Sequence, residues 1–376
     1  MTDNIDTIKK CCGCTPPSGD QQQQTQSIDL SVHSHHGILF KWIEQFKFSY
    51  GVIDLRDTIQ YQSKHIKHTT SIPFNELPIR IFELPPRGQE EEYIVTKESL
   101  QQVMNDLAFR SGYIIHFVIN LEDDSHLWQK LTKLDLVQSG SQSRLLWQAC
   151  SFLTDSIQEV EDSLRKEKEK SSMTTTKESI ETIITALDLG CGSGRDCLYL
   201  AQRGGWTAVG VDNSDTLLSK MTEAANRYNL SDRIQSYNID LEPVQSDEPY
   251  HDTDYSNRQL KSTTKEDLEK LQHLEATLLN LSPGQEGYEL VNVARYLYRP
   301  LLPIIASIVK PGGFVLYHTF MVPSNGKPKR PRFLLNYNEL KERFLSSKFE
   351  IIKYQETKLL EDGRPVQFLL ARKPIN

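Results

Sequence analysis

The sequence has no apolar run long enough to cross a membrane. Its opening, MTDNIDTIKKCCGC, holds no apolar leader core, so the chain is expected to work in the cytoplasm, without a membrane partner. Positive charge is in deficit: 43 Lys and Arg face 50 Asp and Glu, for a net −7. No overall field therefore draws in nucleic acid. Cysteine is sparse, six in 376 residues, and makes no disulfide framework at this length. Cys11, Cys12 and Cys14 precede His33, His35 and His36 in a spacing that fits no common zinc pattern. No metal is expected.

What is present is chain enough for two domains. Residues 1–36, with CCGC, PP and a QQQQ run, have few apolar residues and read as a disordered tail. Residues 37–155 read as a folded unit: GILFKWIEQFKF has helical spacing and YGVIDLRD a short buried strand. Residues 156–180 turn charged and then Ser/Thr-rich, RKEKEK followed by SSMTTT, and read as a frayed helix end and a linker. From 181 to 376 strands alternate with helices, which predicts a mostly parallel, doubly wound sheet. A polar insertion at about 243–286 interrupts the alternation, with helical spacing over Lys265–Asn280. FEIIKYQET and PVQFLLAR, joined by EDGR, read as a closing hairpin that adds an antiparallel edge.

The chemistry concentrates in ALDLGCGSGRD, Ala186 to Asp196. No Lys-Ser or Lys-Thr follows its glycines, which disfavours a triphosphate loop. The dinucleotide fingerprint fails in both registers, because its third glycine falls on Arg195 or Cys197. Instead Asp188 stands two residues before Gly190, followed by Gly192 and Gly194. Glycines let a ligand approach the backbone, and a carboxylate at the loop's start attracts an amino group. Asp212 closes the next strand and suits ribose hydroxyls; Asp240 closes the third and suits an adenine amino group, with Asn213 and Ile239 flanking the base.

This set of residues resembles the class I S-adenosylmethionine-dependent methyltransferases. LDLGCGSGRDCLYLAQRG is similar to their tellurite-resistance-like branch, while VARYLYRPLLP, PGGFVLYHTF and GKPKRPRFLL resemble a bacterial subgroup of unassigned substrate. The resemblance implies a Rossmann-like domain, S-adenosylmethionine as cofactor and a small-molecule methyl acceptor. Asp188, Gly190, Gly192, Gly194, Arg195, Asp212, Asn213, Ile239, Asp240 and Asn292 are the expected cofactor residues. Arg195 is open to two readings, a hold on the cofactor carboxylate or a surface pairing.

In such sheets ligands sit at the carboxyl ends of the strands. His318 and Tyr296 are the candidate catalytic residues; His318 reads equally as a base or as a hydrogen-bonded strand histidine. Arg295, Arg299 and Thr319 are the candidate substrate residues. The two arginines, four apart on an expected helix, either hold an anionic substrate or cap the acidic insertion. Lys327, Lys329, Arg330 and Arg332 read as a solvated loop or, less simply, an anion clamp.

YGVIDLRDTIQYQSKHIKHTTSIPFNEL resembles a rhodanese-like domain through Asp54 with Arg56, His65-Ile66 and the Ser71–Pro73 turn; ELPPR at Glu83–Arg87 fits as well. A working enzyme of that fold carries a loop cysteine, but Tyr93 to Asn120 holds none and Thr96 stands near the loop position. The resemblance implies an inactive domain that regulates or binds a protein partner, with Asp54 and Arg56 as a structural pair. Two alternatives stay open: a non-enzymatic regulator that keeps both folds, and persulfide transfer through Cys150.

Overall fold

The computed structural model describes residues 43, 52–80, 83–84, 90–95, 114–120, 125–144, 146, 149–172, 184–244, 264–324, 326–359 and 363–375. The tail at 1–36 lies outside them, as does the helix expected at 37–48 apart from Ile43, which is helical.

The N-terminal unit begins with β1, Val52–Asp54, buried along its whole length. An Asp57–Gln60 capping box starts α1, Thr58–Ser63, so both ends of a short loop satisfy otherwise orphaned amides. Then come β2 (His65–Ile66), β3 (Thr70–Ser71), α2 (Leu77–Arg80), β4 (Glu90–Val95), β5 (Ile114–Asn120), α3 (Ser125–Lys133) and β6 (Val137–Gln138). Four of these strands form a parallel sheet in the order β3-β1-β4-β5, and β2 pairs antiparallel with β6. Asp54 and Arg56 form a bidentate pair with contacts of 2.6 and 3.0 Å, both side chains buried.

Helix α4 spans Ser151–Ser172, and so fills most of the stretch expected as a linker at 156–180. Arg165, Lys166 and Glu169 are exposed, while the other face is apolar. Phe152, Leu153, Ile157, Val160 and Leu164 are buried together with Trp206, Leu290, Phe314 and Leu316 of the C-terminal sheet. Glu161 ties it down further, accepting from Trp206 Nε1 at 2.8 Å and Arg203 Nη2 at 2.6 Å.

The C-terminal region runs β7 (Ile184–Leu189), α5 (Arg195–Gln202), β8 (Trp206–Asp212), α6 (Asp215–Arg227), β9 (Ile234–Asn238), α7 (Lys265–Asn280), β10 (Tyr288–Ala294), α8 (Leu301–Ile308), β11 (Val309–Phe320), α9 (Glu339–Ser346), β12 (Glu350–Lys358) and β13 (Pro365–Arg372). Its seven strands lie in the order β12-β13-β11-β10-β7-β8-β9. Neighbours from β11 to β9 are parallel, and β13 is antiparallel to both β11 and β12. The closing hairpin forms this edge of the sheet, with β12 outermost and antiparallel to β13. Apolar β13 is buried between its neighbours, and β12, mostly half-buried or exposed, takes the edge. The chain order reverses between β7 and β10, which opens the ligand crevice of a doubly wound sheet there.

Two further expectations shift. The helical stretch of the insertion is α7, started by a Thr264–Asp267 capping box. Its Leu274 and Leu278 lie in the main core, so this half is part of the helical layer. The helix expected from Ala294 onward begins only at Leu301. Arg295 turns the chain with a φ of +57°, and Pro300 disfavours helical backbone at the residue before it. Arg295 and Arg299 therefore share no helix face.

Candidate functional site

The glycine loop follows β7 without delay. Gly190, Gly192 and Gly194 all have positive φ, at 72°, 55° and 74°. Close packing adds to the demand: a Cβ at Gly194 would lie 2.1 Å from Met221 Sδ, and one at Gly190 would lie 3.2 Å from the Tyr296 ring. Gly192 N–H donates to Asp212 Oδ2 at 2.9 Å, while Asp212 Oδ1 accepts from Ser214 N–H at 3.0 Å. One carboxylate thus joins the loop to the start of α6.

Beneath the loop lies a buried acid pair. Asn292, at the centre of β10, donates from Nδ2 to Asp188 Oδ1 at 2.9 Å and to Asp196 Oδ2 at 3.0 Å. Cys197 donates to the other Asp188 oxygen at 3.5 Å, and Cys150 N–H donates to Asp196 Oδ1 at 2.8 Å. Burial first, then the charge of Asp196, pushes the Asp188 carboxyl up to about 8; burial likewise raises Asp196. The pair therefore retains a proton near neutral pH. Asn292 Oδ1 is buried without a hydrogen-bond partner. An orphaned acceptor beside two acids is matched by a cationic donor such as an ammonium group.

The remaining expected cofactor residues line the adjacent strand ends. Asn213 is exposed beside Asp212, and Ile239 donates its N–H to Asp212 O at 3.1 Å. Asp240 stands two residues beyond β9, exposed, and accepts from Glu242 N–H at 2.9 Å. Arg195 opens α5 half-buried, and its charge lowers the Asp196 carboxyl.

The candidate catalytic residues fare differently. His318 is 2% exposed, and burial and the Arg295 charge push its imidazole down to about 3. The neutral form of the imidazole is thereby favoured and its basicity lowered. Its Nδ1 lies 3.3 Å from Cys150 Sγ. Tyr296 donates a hydrogen bond from its hydroxyl to Glu242 at 3.3 Å; burial, then the Glu242 charge, raises its phenol above the usual range. Its ring covers Gly190, so it shapes the loop.

Of the candidate substrate residues, Thr319 is buried within β11 opposite Gln367. Arg299 is committed to structure: it clamps Glu339 through two contacts of 2.7 and 2.9 Å and donates to the carbonyls of Arg332 and Leu334. Arg295 is exposed, with its N–H on His318 O at 2.8 Å. Lys327, Lys329 and Arg330 are exposed on the loop after β11.

Sequence reasoning missed Asp196 and Cys150 as parts of the site. An acid in the first turn of a helix reads as a dipole partner, and nothing marks it as buried. Cys150 lies 46 residues from its hydrogen-bond partner. Its thiol is pushed up to about 12, by burial and then by the Asp196 charge. Among the described residues no group of three or more His, Cys, Asp or Glu could hold a metal ion, and no helix is long and apolar enough to cross a membrane.

Residues 186–284 match a family described as "Methyltransferase domain". An uncharacterized protein of Schizosaccharomyces pombe is 24% identical over 340 residues, covering 85% of this chain and 93% of that protein. A span of that size takes in much of the N-terminal unit. Among solved structures, TehB from Haemophilus influenzae is 21% identical with a TM-score of 0.35, over 57% of this chain and 62% of that one. A SAM dependent methyltransferase from Aquifex aeolicus is 15% identical with a TM-score of 0.34, over 65% and 97% of the two chains. The strand order and the family match together give the C-terminal region the fold of class I S-adenosylmethionine-dependent methyltransferases.

Proposed function

We propose that this chain is an S-adenosylmethionine-dependent methyltransferase acting on a small molecule, with a non-catalytic, rhodanese-like N-terminal unit. The observation that carries the reading is the buried Asp188–Asn292–Asp196 cluster under a glycine loop pinned by Asp212. The cluster offers negative charge and an unmet acceptor where an amino-acid ammonium would be held. Asp212 would hold ribose hydroxyls, with Asn213, Ile239 and Asp240 beside the adenine. When bound, the cofactor supplies an electrophilic methyl group, which passes to an acceptor lone pair as the carbon–sulfur bond breaks with its pair left on sulfur. The chain's own part is to bind, orient and exclude water. The His318 imidazole is neutral and buried, and Tyr296 is bound to Glu242. Neither supports proton abstraction, so positioning carries the rate.

The N-terminal unit is read as rhodanese-like from its parallel sheet and the buried Asp54–Arg56 pair. Thr96, which stands near the catalytic-cysteine position, lies outside the described residues. Cys150 belongs to the crevice of the other region, and its raised thiol pKa disfavours persulfide chemistry. The unit's role is structural support and partner binding.

Calorimetric titration with S-adenosylmethionine tests the assignment. The intact chain binds, and Asp212→Ala weakens binding by at least 10-fold. Absence of binding by the intact chain overturns the assignment. Cofactor binding without methyl transfer to any acceptor favours the regulator instead.

A further inference from the structure

The cations around the C-terminal sheet are not alike. Arg299 is spent on Glu339 and two carbonyls. Lys310 pairs with Glu289 at 2.9 Å, and Arg203 with Glu161 at 2.6 Å. Arg295 has neither an ion pair nor a side-chain hydrogen bond among the described residues. It nevertheless sits at the crevice. Ala294 is in register with His318, and the Arg295 N–H bonds the His318 carbonyl at 2.8 Å. The charge of Arg295 also acts on Cys150, Asp196 and His318.

The backbone gives a second, independent sign. A φ of +57° at Arg295 costs a non-glycine residue about 1 kcal/mol or more. Glycine or asparagine would relieve that strain. The turn aims Tyr296 onto Gly190 and leaves Arg295 at the rim of the crevice.

Resting on the methyltransferase reading, we infer that the acceptor is a small anion, a carboxylate, sulfonate, phosphonate or thiolate, with its negative charge held by Arg295. Such an acceptor suits a crevice in which His318 and Tyr296 are not set to remove a proton, because an anion arrives with its lone pair free. It also suits the sulfonium donor, since attraction between unlike charges aids approach in a low-dielectric crevice.

The test uses the full chain loaded with S-adenosylhomocysteine. Small carboxylates, sulfonates, phosphonates and thiols are titrated calorimetrically, each acid beside its neutral amide or methyl ester and each thiol beside its methyl thioether. At least one anion is expected to bind saturably while its neutral counterpart does not. Arg295→Asn tolerates the left-handed backbone and removes the charge; it should weaken that anion at least 10-fold and leave S-adenosylhomocysteine affinity unchanged. Arg295→Lys should recover part of the loss. Equal binding of anions and neutral partners, an unaffected Arg295→Asn, or no bound anion on a chain that holds S-adenosylhomocysteine each overturns the inference. Failure to bind S-adenosylhomocysteine overturns instead the methyltransferase reading on which it rests.

Discussion

Buried acids in the two halves of the chain are treated in opposite ways. In the N-terminal unit Asp54 meets Arg56, and Glu83 meets Arg80 through two contacts of 2.8 Å. Glu83 also accepts from Arg227 and Tyr228 at the far end of α6, so one paired carboxylate latches the two halves together. Under the glycine loop, Asp188 and Asp196 are as deeply buried, yet they meet an amide, a thiol and a backbone N–H, with no guanidinium bonded to either among the described residues. A fold that is content to pair its buried acids leaves these two without a bonded guanidinium among the described residues. Charge kept unpaired at a cost in stability marks a ligand site, whereas charge paired in place marks structure. Arg299–Glu339 shows that the C-terminal region pairs its acids too, away from the loop.

The largest expected effect comes from separating the halves at the wrong place. A chain begun at residue 181 loses α4, and with it five buried apolar side chains of the second core cluster. At roughly 1.5–3 kcal/mol each, their loss rivals the whole stability of a domain. Such a chain should aggregate or melt without a cooperative transition in scanning calorimetry, whereas one begun at 149 should fold.

Next in size are the paired acids. Asp54→Asn and Glu83→Gln each strand at least one buried or part-buried arginine and should cost about 3–5 kcal/mol in urea denaturation. A double-mutant cycle between Glu83 and Arg227 should show coupling well above that of an exposed surface pair.

Asp188→Asn should behave in the opposite manner. It replaces a buried carboxyl that keeps its proton with a neutral amide of the same shape, so stability without ligand should hold near neutral pH, while S-adenosylmethionine affinity should fall about 100-fold, or roughly 2.8 kcal/mol. The pH dependence has a definite sign. A carboxyl raised from 3.8 to about 8 keeps its proton in the folded state after the unfolded chain has released it. Stability of the ligand-free chain should therefore decline as pH rises from 4 towards 8. That slope should flatten in Asp188→Asn, as followed by melting temperature across the range. Smallest is Asp240→Ala: the side chain is exposed, so melting should not change and cofactor affinity should drop only about threefold.

The alternation of strands and helices was legible because each element of the parallel sheet carries its own apolar run. So were the loop glycines and the acids that close the strands, since register alone separates this loop from a dinucleotide loop. Less legible was anything that depends on which face of a helix is covered. The charges of α4 read as a linker, although its other face is core. Asp196 reads as an end-of-helix charge, although it is buried. Arg295 and Arg299 read as one helical stripe, because a single left-handed residue leaves no mark in composition. The hairpin was visible, but not the crossing that sets β13 inside β12, since strand order is decided by long-range packing.

The most direct test is the proton balance of cofactor binding at pH 7, from calorimetric titrations with S-adenosylmethionine in buffers of differing ionisation enthalpy. If the Asp188–Asp196 pair is kept for an ammonium group, binding drives off part of the proton held there. A fraction of a proton should then be released per cofactor bound, and the release should vanish in Asp188→Asn. Binding that moves no proton, or release that survives in Asp188→Asn, would contradict the account.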